Sequence, residues 1–334
     1  MQNLIDPAIL FFVFGVLAGA LRSNLEIPKS IAKFLSLYLL MALGLKGGFA
    51  LAQSGFTADV ALSLGAAVFM AFLVPVLGYA FLRSFVSRFD AAAVAAAYGS
   101  VSAVTFVTAS QYLQSQGMPP GGHMAVALVL MESPAIIMAV LFANAIRHGA
   151  GAGITAGGAA RSVGAAAAPL SAGRILHDSF TDGAHLLLLG SLAVGFISGE
   201  AGKAVMQPFA GDLFKGMLAF FLLDMGLMVA RNFRDARKAS PALLGYAVAG
   251  PLLHAGIALG VSVLLGLTAA DAALLMVLSA SASYIVVPAV LRYALPEANP
   301  ALYFGLSLGI TFPLNILVGI PLYANLAQRA LGPG

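Results

Sequence analysis

Apolar residues in this chain fall in long runs separated by short polar segments, with no alternating apolar and polar pattern of the kind a half-buried strand shows. The runs lie near 7–22, 31–52, 58–82, 91–111, 122–146, 180–199, 208–230, 240–267, 271–291 and 300–328. A run of about 20 apolar residues crosses the hydrocarbon core as a helix. Lipid offers no partner to an open backbone, so each run is predicted to be a membrane helix. The first, Pro7 to Leu21, is short. It follows Asp6 rather than a basic stretch and is therefore read as a span, not as a separate signal peptide.

The polar segments set an orientation, because cytoplasmic loops retain Lys and Arg. With the N-terminus outside, most of the 17 basic residues fall on inside loops, among them Arg22, Arg83, Arg88, Arg147, Arg231 and Arg292. Lys46, Lys203, Lys215 and Arg329 are left outside or at depth, and both termini are expected to face out. Residues 148–178 are rich in Gly, Ala and Ser and hold Pro169. This stretch reads as a flexible cytoplasmic linker between a first five-helix unit, 1–147, and a second, 179–334.

Composition agrees with the pattern. Of 334 residues, 60% are hydrophobic and 9% are charged, where soluble domains are about a quarter charged. The bilayer is therefore the solvent. The net charge of +4 lies in short loops between apolar runs, which suits orientation and excludes a nucleic-acid surface. With no cysteine in the chain, disulfides, thiolate metal sites and thiol nucleophiles are excluded together.

The second half repeats the first. At an offset of 179, Ser100-Val-Ser102-Ala-Val-Thr105 falls on Ser279-Ala-Ser281-Ala-Ser283-Tyr284, and Met131-Glu-Ser-Pro134 on Ile310-Thr-Phe-Pro313. Leu141-Phe-Ala-Asn144 matches Leu322-Tyr-Ala-Asn325 and Gly44-Leu45 matches Gly226-Leu227 at nearly the same offset. An odd number of spans per repeat inverts the second relative to the first, and such carriers bind substrate near the midplane on interrupted helices.

The matched interruptions are expected in the fourth and ninth spans. The fourth carries Gly99, Ser100, Ser102, Thr105 and Thr108; the ninth carries Ser279, Ser281, Ser283 and Pro288. Hydroxyls in such clusters compete with the helix ladder, and proline removes a donor. Ordinary packing through small residues is the alternative. Glu132 lies well inside the fifth span, where a carboxylate is a functional candidate by default. Three roles stay open for it: Na+ ligand, carrier of a coupling proton, or structural acid. Its repeat mate Thr311 lies near Asn315, so the three form a candidate cation-binding or coupling set. Lys46 and Asp224, in the second and seventh spans, either pair, serve a gate or pack. A lone His254 is expected to satisfy a backbone group.

On these residues the chain resembles the sodium-dependent bicarbonate permease family of cyanobacteria and other bacteria. The likeness covers nearly the whole chain. It rests on Gly44-Leu-Lys-Gly-Gly48, Gly99-Ser-Val-Ser-Ala-Val-Thr105, Met131-Glu-Ser-Pro-Ala135, Ser281-Ala-Ser-Tyr284 and Leu291-Arg-Tyr-Ala-Leu-Pro-Glu-Ala-Asn-Pro300. The resemblance implies an all-α integral membrane protein of ten transmembrane helices in two inverted five-helix repeats, with broken crossing helices 4 and 9 and core and gate domains. It implies Na+-dependent symport of bicarbonate, no cofactor beyond Na+, usually a homotrimer, and in cyanobacterial members a PII-like cytoplasmic regulator. The family's bicarbonate and Na+ groups fall on Ser102, Thr105, Ser281 and Ser283, with Ser100 and Tyr284 beside them and a carboxylate at Glu132. This chain departs from the cyanobacterial pattern where Tyr284 replaces an Asp and Val104 a Ser. Other readings are a carrier of another small anion or organic acid, with H+ as coupling ion, a membrane-embedded enzyme, and a channel or receptor. The enzyme is the weakest, since His254 and Glu132 stand on different spans without ligand spacing.

Overall fold

The computed structural model describes residues 6–152 except 56, and 183–332 except 237, 238 and 285. Residues 153–178 of the expected linker lie outside the described residues. The described residues form helices and no strand. In chain order these are α1 (Pro7–Ala20), α2 (Lys29–Ser54), α3 (Ala58–Leu82), α4 (Arg88–Gly99), α5 (Ala103–Ser115), α6 (Met124–Ala152), α7 (Gly183–Met206), α8 (Phe214–Ala236), α9 (Pro241–Leu265), α10 (Ala269–Ala280), α11 (Val286–Ala294) and a last course, α12 (Pro300–Leu331). Seven stretches are long and apolar enough to cross a membrane, and α1 and α10 are shorter apolar helices. The protein is an all-helical, multi-pass membrane protein.

Helix starts follow local chemistry. The Asp6 carboxylate accepts the Ala8 N–H at 2.8 Å and Pro7 occupies the first turn, where a missing N–H costs nothing. Ser87 and Thr268 cap α4 and α10 through the N–H groups of Asp90 and Asp271 at 3.1 and 3.2 Å. Each of those acids also reaches outward: Asp90 accepts the Asn299 N–H at 2.8 Å and Asp271 the Gly121 N–H at 2.7 Å. Asn299 in turn caps α12, and Gly121 lies just before α6.

Two parallel helix pairs, α1 with α8 and α2 with α7, pack through glycines. A Cβ on Gly44 would lie 2.5 Å from the Leu188 carbonyl oxygen, and one on Gly48 would collide with Leu192. Likewise Gly15 and Gly19 face Leu223 and Leu227, and Gly226 faces Phe12 and Val16. Both α1 and α2 thus carry the GxxxG spacing that lets membrane helices touch backbone to backbone.

The other helices surround α4 and α10. The α4 run Ala91-Ala-Ala-Val-Ala-Ala-Ala97 is buried on every side, as is nearly all of α10. A helix that is apolar all round belongs inside, and alanine lets neighbours approach from every direction. By contrast Ile197 and Leu264 are more than four-fifths exposed, at 83% and 86%, on faces where lipid takes the place of core.

Two sequence-based boundaries change. The break expected between 199 and 208 is helical: α7 kinks at Gly199, whose φ of 54° favours glycine, runs on to Met206, and joins α8 through wide turns at Gln207–Asp212. Pro288 does not break the ninth course. It sits in the first turn of α11, where its missing donor is no loss. The break is made upstream, where Ser281 takes an extended conformation after Ala280.

Candidate functional site

The two interrupted courses meet. α4 ends at Gly99, Ser100 is extended, and Ser102 caps α5. The Ser102 N–H donates to Ser281 Oγ at 3.0 Å, and the Ser283 N–H donates to the Ala97 carbonyl at 2.8 Å. Each unwound segment thus satisfies the other's freed backbone groups, which the bilayer interior demands. Ser281 Oγ donates its own proton to Leu278 O at 2.8 Å, and Ser283 Oγ accepts the Val287 N–H at 3.3 Å.

Ser102 is the hub. Its Oγ accepts the Thr105 N–H at 3.2 Å and the Thr105 hydroxyl at 3.0 Å, while its proton reaches Tyr284 only at 3.4 Å. The Ala103 and Val104 N–H groups at the α5 start have no partner among the described residues. A helix start with two such donors carries partial positive charge.

A cavity of roughly 100 Å³ opens at this start. Ser102 to Val104, Ser283 and Tyr284 line it, together with Ser36 and Leu40 of α2, His185 and Leu188 of α7, and Glu132 of α6. Cofactor and drug-sized ligands occupy about 300–1,000 Å³, so this space suits a solute of few atoms. It lies between the glycine-packed pairs and the helices around α4 and α10. Glu132 is 5% exposed and its carboxylate meets the His185 imidazole. Tyr284 packs edge-on against Phe312, with ring centroids 5.5 Å apart.

Of the sequence-expected residues, Ser102, Ser283, Tyr284 and Glu132 line this cavity. Thr105 and Ser281 stand directly behind Ser102. Ser100 is buried and its hydroxyl has no partner among the described residues, and the same holds for Ser279 in the second course. Thr311 and Asn315 are drawn elsewhere. Thr311 Oγ1 donates to Ala247 O at 2.8 Å and meets the Tyr98 hydroxyl at 2.6 Å. Asn315 Nδ2 donates to Ala280 O at 2.8 Å, and its Oδ1 accepts from Tyr323 at 3.2 Å. Asn315 thus closes the carbonyl end of α10, a helix-capping task the sequence did not reveal.

Lys46 and Asp224 do not pair. Lys46 lies over the Phe214 ring, 3.9 Å from its centroid, and Asp224 is ten positions further along α8. The expectation for His254 also changes: it is buried against Tyr246 and its Nδ1 has no hydrogen-bond partner. His185 lies inside the run 180–199 and was missed because nothing in its spacing marks it as meeting Glu132. No group of three His, Cys, Asp or Glu residues able to hold a metal occurs among the described residues.

The sequence profile of the Na+-dependent bicarbonate transporter superfamily matches residues 7–328. The chain belongs to that superfamily. The match takes in both interrupted courses and every cavity-lining residue named above. Among curated proteins no match is found. The superfamily is one of transporters, so the chain is not an enzyme.

Proposed function

We propose that this superfamily member is a secondary active transporter that brings bicarbonate into the cell together with Na+ by alternating access. The observation that carries the reading is the cavity at the crossing, where an uncompensated helix start, Ser102, Ser283 and Tyr284 face one another between two separately packed groups of helices. The helix start attracts an anion without a fixed cation. Each dipole contributes about 0.3–1 kcal/mol, so release stays easy.

Ten crossings in two inverted repeats underlie this proposal. The 51-residue stretch Gly183–Phe233 would be about 77 Å long as one helix at 1.5 Å per residue, and therefore supplies two crossings. The contacts also exchange between halves. Gly44 on α2 packs against α7, and its repeat mate Gly226 on α8 packs against α1. Asp90 holds the residue capping α12, and Asp271 holds the turn before α6. A two-fold relation between halves produces such swaps. In this arrangement α1, α2, α7 and α8 form the gate, the remaining helices form the core, and the basic loops put both termini outside.

Na+ is treated as cargo. Neutral oxygens suit a hard monovalent ion, and the hydroxyls of Ser100 and Ser279, one in each broken course, have no partner among the described residues. The Glu132–His185 pair favours a second reading, H+-coupled transport of a small anion, because an imidazole and a carboxylate together can hold and pass on a proton. Uptake of labelled bicarbonate into proteoliposomes separates the two. Na+ symport predicts uptake driven by a Na+ gradient at constant pH. Uptake driven only by a proton gradient, and abolished in Glu132→Gln, would replace it with the second reading.

A further inference from the structure

Beyond the crossing, a larger cavity of roughly 390 Å³ opens at the end of the molecule where α2 and α5 finish and α7 turns into α8. Three lysines line it, Lys46, Lys203 and Lys215, with four glutamines and a single carboxylate, Asp212. The charges do not cancel. Asp212 accepts from the Gln207 amide at 3.1 Å, and Lys203 is paired with Glu200 at 3.2 Å. Lys46 and Lys215 have no ion pair among the described residues. Lys46 is half-buried in the outer part of a membrane helix, with the face of Phe214 as its only described partner. A cation–π contact offsets part of the cost of placing an ammonium there, but it leaves the positive charge in place for an anion.

A second observation points the same way. A smaller cavity of roughly 100 Å³ joins this chamber through shared lining at Lys46, Ala50 and Gln114. Ser110 lines that smaller space, is 3% exposed, and its hydroxyl has no partner among the described residues. A buried hydroxyl left without a bond is costly unless something visits it.

The cavities follow one another along single helix faces. On α2, Ser36 and Leu40 face the crossing, Leu43 and Gly47 the middle space, and Ala50 and Gln53 the lysine chamber. Steps of three and four residues keep these positions on one side of a helix. α5 does the same, from Ala103 through Phe106 and Ser110 to Gln114.

The geometry points to a second anion-binding site, an antechamber in which Lys46 and Lys215, with Ser110 below them, hold a small oxyanion on its way to the crossing. Taking bicarbonate as that anion rests on the function proposed above; the site itself rests on charge, cavity and the unpartnered serine. Lys46 is its floor, since it alone of the three lysines lines both cavities.

The test uses the full-length protein in two assays. In proteoliposomes, Lys46→Gln is expected to raise the KM for bicarbonate about tenfold with a much smaller change in kcat, and Lys46→Arg to stay within about threefold of the parent. The parent KM should climb with ionic strength, and Lys46→Gln/Lys215→Gln should flatten that dependence. In detergent, calorimetric titration of Ser102→Ala with bicarbonate, nitrate and formate is expected to leave one anion event that Lys46→Gln removes. If the parent does not transport bicarbonate yet one of these anions binds in a Lys46-dependent way, the transport reading falls and the antechamber stands. If bicarbonate is transported but a folded Lys46→Gln protein keeps its KM, salt dependence and anion binding, the antechamber is overturned. Equal losses in Lys46→Arg and Lys46→Gln would overturn it too, because a binding cation tolerates the arginine.

Discussion

Replacing Ser102 by alanine separates the two tasks its side chain performs. The hydroxyl caps α5 by accepting the Thr105 N–H at 3.2 Å, and its proton points toward a 3.4 Å partner across the cavity. A hydroxyl has one proton, and at that distance it is scarcely spent, so a bound anion can take it. Losing the cap costs about 1 kcal/mol of stability. Losing a hydrogen bond to a charged ligand costs about 1.5–3 kcal/mol, which is roughly ten- to a hundredfold in affinity at 1.4 kcal/mol per factor of ten. Ser281→Ala is the matched control. Ser281 does not line the cavity, but without its oxygen the buried Ser102 N–H loses its acceptor, at about 1–3 kcal/mol. Bicarbonate uptake in proteoliposomes together with thermal melts of the purified protein should therefore separate the two. Both variants are expected to lower Tm, since Ser102→Ala also strips the Thr105 hydroxyl of its acceptor, but only Ser102→Ala is expected to raise KM strongly. A Ser102→Ala protein whose KM stays within about twofold of the parent, or a Ser281→Ala protein that loses as much affinity, would refute the placement of the anion at this helix start.

Asn315→Leu strips the bond to Ala280 O and the acceptor for Tyr323, leaving two buried groups unpaired. It should destabilise by about 2–4 kcal/mol, seen as a lower Tm without a selective rise in KM. Gly48→Val would drive a side chain into the Leu192 carbonyl and split α2 from α7, whereas Gly65→Ala meets nothing within 4 Å. The first should abolish properly folded protein on size-exclusion chromatography and the second leave the elution profile unchanged. Burial raises the pKa of the Glu297 carboxyl, but the hydrogen bonds from Arg147 and the residue's own backbone outweigh it and hold the pKa below the usual carboxylate range. A depressed folded-state pKa gives stability that is present above the unfolded value and lost as pH falls through the folded one. Both partners are about 40% exposed, at 40% and 39%, so the pair contributes at most about 1 kcal/mol. The Tm gap between the parent and Glu297→Gln should be small at about pH 7 and vanish near pH 3.

Much of the site was legible because membrane helices punish irregularity. An apolar run that carries three hydroxyls in five positions, as at Ser279, Ser281 and Ser283, has to find partners for the backbone it disturbs. The repeat at Ser100 and Ser102 supplies them, and Ser102 N–H on Ser281 Oγ is the resulting contact. Glu132 was legible for the same reason, as a charge where charge is costly. What the sequence did not carry is direction. Nothing in the spacing of Thr311 and Asn315 tells that they turn to Ala247 and Ala280 rather than to the cavity, and nothing announces that Glu132 meets His185 across the boundary between helix groups.

The glycines give the converse case. Gly15, Gly19, Gly44 and Gly48 were visible as small residues, yet small residues recur throughout this chain, and only the partner helix turns spacing into meaning. Packing resolves it. α1 takes α8 and α2 takes α7, parallel in both cases and with backbone contact at Gly226 and Gly44. Such contacts lock each pair as a rigid unit, because no side chain stands between the backbones to give way. The cavity wall contributed by Ser36, Leu40, His185 and Leu188 belongs wholly to one of these pairs, so a movement of that pair displaces that whole part of the wall at once. Ser102 and Ser283, tied to Ser281 and Ala97, stay with the other helices. In the alternating-access carrier proposed above, the groups at the crossing would stay assembled while the covering helices slide, and this division of contacts fits that proposal: hydrogen bonds tie the two interrupted courses together, and glycine packing ties the helices that cover them.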